Sequence, residues 1–285
     1  MIADRLARAH AQLEALAAEE RGVADLDPAN ASRWWIGEGV ADVAVVLLHG
    51  FTNNPRQYAQ LAPLLAARGH AVIVPRVRYH GYRDRLTDAI EALTASDWEE
   101  AALRAIAIAA LCGRRVVVAG ISVAGTLCGW LASRVAVDHT IAIAPFCGIR
   151  ELPGGANGVF GGALRTLPNR FFWWDPRRHE GQLPLHAYPR FSTHALGQSL
   201  LLADELLPRE PGDAAARRVT MLFNDAEPIV NNAHAERRFA VLRACGVQLV
   251  RETIHVANTH DIIEPQIPQA RPDVVYPRLI ALIES

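Results

Sequence analysis

Residues 116–125 read VVVAGISVAG. The three valines and an alanine predict a buried strand, and the apolar residues that follow predict a helix that begins at Val123. Almost no turn separates the two elements, so Ser122 is expected at the tip of a sharp strand-to-helix turn. A serine there is open to a substrate and faces backbone N–H groups that attract an anion. The alternative is a capping serine at an ordinary strand–glycine–helix junction.

So sharp a turn requires very small residues two positions before and two positions after the serine. Gly120 and Ala124 occupy these positions, so the usual G-x-S-x-G pattern is broken at its last position by one methyl group. Gly125 follows directly. We therefore expect the close approach of the helix to the sheet to move by one residue rather than to be lost.

Strands and helices alternate on both sides of this turn. The predicted strands are 44–48, 71–74, 116–119, 140–144, 219–223 and 247–255. The predicted helices are 1–20, 55–67, 96–112 (capped by Ser96), 123–134, 193–206, 232–245 and 273–283. This β-α-β order predicts an α/β fold with a mostly parallel central sheet and helices on both faces.

Residues 147–208 interrupt the alternation with many glycines, prolines and aromatic residues. We interpret this segment as a cap (lid) subdomain inserted into a core domain of residues 1–146 and 209–285. A cap of this kind is expected over the carboxyl ends of the strands, where open α/β sheets bind ligands. Its aromatic residues could line an apolar acyl pocket or simply form the core of the cap. They are Phe160, Phe171, Phe172, Trp173, Trp174, Tyr188 and Phe191.

The bulk composition excludes several classes of function. The 285 residues are 51% hydrophobic with a net charge of −1, and no basic stripe is present, so nucleic acid is not an expected partner. Four cysteines without short paired spacing predict no zinc or thiol redox motif.

Two features bear on the membrane and the compartment. The N-terminus lacks the pattern of a secretory signal, which predicts a cytoplasmic protein. Residues 116–133 carry no charge, but their glycines favour a buried strand, turn and helix over stable membrane insertion.

Two backbone N–H groups are candidates for an oxyanion hole. The strand at 44–48 ends in His-Gly-Phe-Thr (49–52), which places the N–H of Phe51 at a strand end. The second donor would be the N–H of Val123, directly after the serine.

Two carboxylates after the strand at 219–223 compete for the role of acid. The acid must orient the base and stabilise its charged ring. Glu227 is the favoured candidate, because it lies further into the loop and precedes the apolar residues 228–230. Asp225, closer to the strand end, is the alternative.

Position alone selects the base among eleven histidines. His260 lies in the loop after the last predicted strand and completes the chain order serine, acid, histidine. His255, at the end of that strand, is the weaker candidate.

Taken together, these motifs resemble the α/β-hydrolase superfamily, and within it the carboxylesterase and monoacylglycerol-lipase-like branch. The matching stretches are LLHGFT at 47–52, GISVAG at 120–125, NDAEPIV at 224–230 and THDII at 259–263. The sequence departs from the family pattern at Ala124, where glycine is usual, and at Glu227, where aspartate is usual. Neither departure removes a required chemical group.

The resemblance implies an α/β-hydrolase fold and a serine hydrolase that cleaves carboxylic esters of small or medium acyl chains. The catalytic residues would be Ser122, Glu227 and His260, acting through an acyl-enzyme with no cofactor and no metal. The expected partner is a small-molecule ester. The same residues could also serve amide, thioester or carbon–carbon bond hydrolysis. A small-molecule binding protein that keeps the fold with little turnover is the alternative from a different class.

Overall fold

The computed structural model describes residues 2–153, 155–206, 216–244 and 246–285. The strands of these residues are β1 (Arg33–Trp35), β2 (Ala41–Leu48), β3 (Ala71–Val74), β4 (Gly113–Ile121), β5 (His139–Ile143), β6 (Phe171–Trp173), β7 (Arg190–Ser192), β8 (Arg218–Asn224) and β9 (Gln248–Ile254). The α-helices are α1 (Ile2–Arg21), α2 (Leu61–Ala66), α3 (Ala95–Cys112), α4 (Val123–Ala132), α5 (Ala156–Thr166), α6 (Thr193–Asp204), α7 (Asn232–Phe239), α8 (Val241–Ala244) and α9 (Pro272–Glu284).

Seven strands form one twisted sheet in the order β1-β3-β2-β4-β5-β8-β9. All neighbouring pairs are parallel except β1 and β3. The predicted α/β fold with a mostly parallel sheet is therefore confirmed. Strand β1 was not predicted, because its three half-buried residues are too few to show an alternating pattern.

Helices cover both faces of the sheet, and the side chains of each central strand alternate between two cores. Val46 and Val118 pack into the core shared with α1, α3 and α4. Val45 and Val117 point to the opposite core, which α2 and α9 cover. Because both faces are buried, the central strands are continuously apolar, and this is the pattern that made them visible in the sequence.

The two helices predicted between β2 and β4 differ from the prediction at their starts. The predicted helix 55–67 is divided into a 3₁₀ turn at Pro55–Tyr58 and the short α2. The predicted cap Ser96 is wrong, because Thr94, two residues earlier, caps α3. The Thr94 hydroxyl accepts from the Asp97 N–H at 3.2 Å, and the Asp97 carboxylate accepts from the Thr94 N–H at 2.8 Å. This reciprocal pair satisfies two N–H groups that Ser96 could not.

The segment predicted as a cap contains α5, the antiparallel pair β6–β7, and α6. Arg85 fastens it to the core by donating hydrogen bonds to backbone carbonyls, among them those of Ala187 and Gln182. Trp174 Nε1 also donates to the Thr52 hydroxyl at 3.0 Å, directly after the predicted oxyanion residue.

Some predicted limits cannot be compared with the structure. The boundary at 208/209 and the predicted helix end at Cys245 lie outside the described residues. The predicted helix 193–206 lies within them and ends two residues earlier than predicted, at Asp204. In the described part of the chain, no helix combines the length and the apolar content that crossing a membrane requires.

Candidate active site

Ser122 occupies the turn between β4 and α4 with a backbone conformation that is rare for a residue with a side chain. Its φ is 61° and its ψ is −118°. Three hydrogen bonds hold this conformation: the Ser122 N–H donates to the Ile143 carbonyl at 2.9 Å, and the Ser122 carbonyl accepts from Phe146 and Thr126. Strain of this kind persists only where the surroundings over-determine it, and it is concentrated at functional sites. The turn therefore presents the Ser122 side chain at the carboxyl edge of the sheet.

The close packing of the turn explains why Gly120 and Gly125 are glycines and why alanine is accommodated at position 124, where glycine is usual in the family. A Cβ on Gly120 would lie 2.5 Å from the Ala124 carbonyl oxygen and 2.9 Å from the Ala124 Cβ. The methyl group of Ala124 fits because Gly120 has no side chain opposite it. A Cβ on Gly125 would lie 2.9 Å from the Ile143 carbonyl oxygen, so the helix approaches the sheet closely at Gly125, as its position predicts.

Replacing Gly120 with alanine is expected to lower the free energy of unfolding by about 1–3 kcal/mol, because the added methyl meets backbone atoms that cannot rotate away. Urea unfolding followed by circular dichroism measures this. The matched control is Gly162→Ala on α5, where a Cβ meets nothing within 4 Å. That variant should be as stable as the wild type or slightly more stable, since alanine favours helix. Equal stability of both variants would contradict the packing argument.

The structure brings Glu227, and not Asp225, to His260. His260 Nδ1 donates to Glu227 Oε2 at 2.9 Å, and the two side chains are 19% and 2% exposed. The second oxygen of Glu227 accepts from the N–H groups of Ile229 and Val230. Asp225 instead pairs with His255 at 2.6 Å on the exposed surface. The residues that follow Glu227 thus fix its carboxylate toward the histidine.

The electrostatics of this pair favour a charged carboxylate beside the ring. Burial by itself would raise the pKa of Glu227, but the hydrogen bond and charge of His260 together with the two N–H groups bring the pKa below its usual 4.5. Burial favours the neutral His260 ring, but the hydrogen bond and charge of Glu227 and the charge of Asp261 outweigh it and raise its pKa above 6.5. Glu227 is therefore ionised at neutral pH and stabilises the protonated ring.

Ser122, Val123, Phe51 and His260 all line one cavity of about 520 Å³. His260 Nε2 is buried and has no hydrogen-bond partner among the described residues. Within the same residues, the N–H groups of Phe51 and Val123 also donate to no other atom. The parallel pairing of β2 with β4, in which Leu48 lies opposite Gly120, brings these two strand ends side by side. The residues that carry the acceptor nitrogen, the serine hydroxyl and the two unused N–H donors therefore all line the same cavity.

Sequence reasoning missed a link between the two loops of the site. Gln57 accepts from the Gly50 N–H at 2.8 Å and donates to Asp261 Oδ2 at 2.6 Å. It thereby ties the loop of Phe51 to the residue that follows His260. Burial and the charge of Glu264 raise the pKa of Asp261 to about 6. Asp261 was visible only as part of the THDII stretch, and no spacing rule identifies Gln57.

The predicted segment 147–208 contributes two of its seven predicted aromatic residues to the cavity. Trp174 and Phe191 line it, whereas the other five are not among the described residues that do so. Tyr188 is instead buried, with its hydroxyl accepting from the Tyr82 N–H and donating to the Tyr79 carbonyl. Of the two interpretations that the sequence left open for this set, a place in the cavity wall therefore holds for Trp174 and Phe191 alone among the described residues.

The chain is similar to known proteins over most of its length. A model of the "Alpha/beta hydrolase family" matches residues 45–277. A thermostable monoacylglycerol lipase from Bacillus sp. (strain H-257) is 31% identical over 122 residues, which span 42% of this chain and 46% of that lipase. The matched segment thus covers less than half of the relative.

Three solved structures illustrate the similarity of fold. One comes from work on the metagenome-derived lipolytic enzymes LipS and LipT, with a TM-score of 0.66, 20% identity, and 91% of this chain and 99% of that chain covered. A soluble variant of monoglyceride lipase from Saccharomyces cerevisiae gives 0.63 at 14% identity, with 89% and 90% covered. Monoacylglycerol lipase from Paleococcus ferrophilus gives 0.61 at 18% identity, with 89% and 96% covered. At these identities the likeness concerns the fold alone.

The family match begins in β2 and ends in α9. It includes the serine turn, the loop after β8 that carries Glu227 and the loop after β9 that carries His260. It therefore spans the elements that build the sheet and position the candidate site. This chain belongs to the alpha/beta hydrolase family.

Proposed function

We propose that the chain is a serine hydrolase that cleaves carboxylic esters of small or medium acyl chains through an acyl-enzyme on Ser122. The observation that carries this proposal is the shared cavity of about 520 Å³, which Ser122, His260 and the residues of the two unused backbone N–H groups line, while Glu227 is hydrogen-bonded to His260. The Bacillus relative, by its name a monoacylglycerol lipase, supports an ester as the substrate.

Each group has a defined role in the proposed reaction. Ser122 Oγ attacks the ester carbonyl while His260 Nε2 takes its proton, and Glu227 stabilises the charged ring. The N–H groups of Phe51 and Val123 donate to the oxyanion. His260 then protonates the leaving alcohol and later activates the water that hydrolyses the acyl-enzyme. These steps require no cofactor.

The cavity supports a substrate of limited size. Its volume of about 520 Å³ lies within the range of about 300–1,000 Å³ that is usual for small-molecule sites. Apolar side chains dominate its wall near the serine, including Phe51, Trp174 and Phe191. Such a wall suits an acyl chain, and its volume favours small or medium chains over long ones.

The proposal is tested with p-nitrophenyl esters from acetate to palmitate and with a fluorophosphonate that labels activated serines. Turnover with an optimum below palmitate, together with labelling mapped to Ser122 by mass spectrometry, is the expected result. Stoichiometric acylation without repeated turnover would instead favour the binding-protein alternative. Absence of both turnover and labelling would overturn the proposal.

The pH dependence of kcat/KM follows from the state of His260. Only the neutral ring can take the Ser122 proton, so kcat/KM should rise with pH as the ring loses its proton. Because Glu227 and Asp261 raise the pKa of His260, the inflection is expected above 6.5. Initial rates with a neutral p-nitrophenyl ester across the pH range measure it.

The matched variant for this prediction is Asp261→Asn. It removes one of the negative charges that raise the pKa of His260, so the inflection should move to lower pH. Asp273→Asn, whose carboxylate pairs with Arg271 on the exposed surface of α9, is the control and should leave the inflection in place. An unchanged inflection in Asp261→Asn would contradict the assignment of His260 as the base.

A further inference from the structure

One fixed positive charge lies in the wall of the candidate active site. Among the described residues that line the cavity, Arg150 is the only arginine or lysine. It follows β5, and the backbone bridge between Ile149 and Val230 places it beside the loop that carries Glu227. A cation in a largely apolar cavity contributes most to binding when it meets a negative charge.

The contacts of Arg150 position its guanidinium but leave most of it free. One terminal nitrogen donates to the Glu227 backbone carbonyl at 2.5 Å. Its other guanidinium nitrogens make no hydrogen bond and no ion pair with a described residue. The guanidinium is therefore held at one end while several N–H donors remain available.

The carboxylates near Arg150 do not neutralise it. Glu151 is exposed and forms no ion pair with Arg150 within the described structure. Asp261 is engaged by Gln57 and by the N–H of Glu264. Glu227 faces His260 and two backbone N–H groups, and Arg150 contacts only its carbonyl. The cavity thus contains a cation whose matching anion is not supplied by these side chains.

We propose that Arg150 is a specificity-determining residue that binds a free carboxylate on the substrate, so that half-esters and other carboxylate-bearing esters are preferred over neutral ones. The planar fork of a guanidinium matches a carboxylate in two parallel hydrogen bonds. Arg150 is an exposed residue of the cavity wall, so solvent screens the charge of the pair and the geometry of the two hydrogen bonds carries most of the preference. This inference rests on the proposed ester hydrolysis. It adds the chemical class of the substrate.

Two matched pairs of esters test the preference and separate the two possible positions of the carboxylate. Mono-p-nitrophenyl adipate carries it on the acyl side, and p-nitrophenyl methyl adipate is its neutral partner. Para-butanoyloxybenzoate carries it on the alcohol side, and its methyl ester is the neutral partner. The measured quantity is the ratio of kcat/KM for the carboxylate over kcat/KM for its methyl ester.

In the wild type the ratio should exceed one for at least one pair, and Arg150→Gln should lower it by about 3- to 10-fold, as expected for a bidentate pair with an exposed arginine. Arg150→Lys, which keeps the charge but loses the planar fork, should retain part of the preference. The control is Arg114→Gln. Arg114 pairs with Asp42 on the exposed surface, near the end of β4 opposite to Ser122, so this substitution should not change the ratio.

Other outcomes would overturn the inference and are distinguishable from failure of the proposed function. If the wild type cleaves neutral esters well and shows no preference in either pair, ester hydrolysis stands and the role of Arg150 is wrong. If Arg150→Gln lowers both rates of a pair equally and shifts the pH inflection, Arg150 only positions Glu227.

A binding measurement decides the case in which the wild type cleaves none of the four esters. Calorimetric titration of Ser122→Ala with mono-p-nitrophenyl adipate, para-butanoyloxybenzoate and their methyl esters requires no turnover. Tighter binding of a carboxylate that is lost in Ser122→Ala/Arg150→Gln supports the inference. Equal binding within both pairs overturns it.

Discussion

Replacing Ser122 with alanine is expected to lower kcat for ester hydrolysis by about 10⁴-fold or more, because the variant lacks the hydroxyl that we propose as the nucleophile. The Ser122 hydroxyl makes no capping hydrogen bond to α4, so its loss should leave the fold intact. Steady-state kinetics with the best p-nitrophenyl ester measure the change in kcat. Equal melting temperatures of the two proteins establish that the fold is retained.

Ser96→Ala is the matched control for this experiment. Ser96 is exposed in the first turn of α3, where Thr94 and not Ser96 provides the cap. The control should keep wild-type kcat and stability within experimental error. If Ser122→Ala kept full activity as well, Ser122 would not be the nucleophile and the proposed site would be wrong.

Replacing Glu227 with glutamine is expected to lower kcat by about 10³- to 10⁴-fold through the tautomer of His260. The glutamine oxygen can still accept from the N–H groups of Ile229 and Val230, so its NH₂ group is left facing His260 Nδ1. Nδ1 must then act as an acceptor, and the proton moves to Nε2. A protonated Nε2 cannot take the proton of Ser122.

Asp225→Asn is the matched control, since Asp225 pairs with His255 and not with His260. Its exposed ion pair contributes little to stability, and kcat should stay within about twofold of the wild type. The two variants also discriminate between the two acids that the sequence left open. A large loss in Asp225→Asn with little loss in Glu227→Gln would reverse the assignment.

The central sheet could be predicted because the burial of its strands produces a local pattern in the sequence. Strands such as β2 and β4 are covered on both faces, so their residues are continuously apolar and contrast with the helices between them. The serine turn was visible for a similar reason: its short length and its small residues are local properties. Strand β1 was missed because it is defined by pairing with Val74 and its neighbours, which lie about forty residues away.

The choice between Glu227 and Asp225 required the tertiary structure. Both carboxylates follow the same strand, and a difference of two positions in a loop does not determine which side chain turns toward His260. The loop conformation, in which Ile229 and Val230 donate to Glu227 while Asp225 meets His255, makes that difference. For the same reason Gln57 and Arg150 could not be found, since each acts through partners distant in the chain.

By itself, the sequence determined the α/β fold, the position of Ser122 at a strand–helix turn and the loop that contains His260, because periodicity and local turn geometry are short-range properties. Only the tertiary structure decided which carboxylate contacts His260, which cap residues reach the cavity, and that Arg150 lies in its wall. Those features depend on how loops at the carboxyl ends of different strands converge. Their contacts join residues as far apart as Gln57 and Asp261, and no local pattern encodes them.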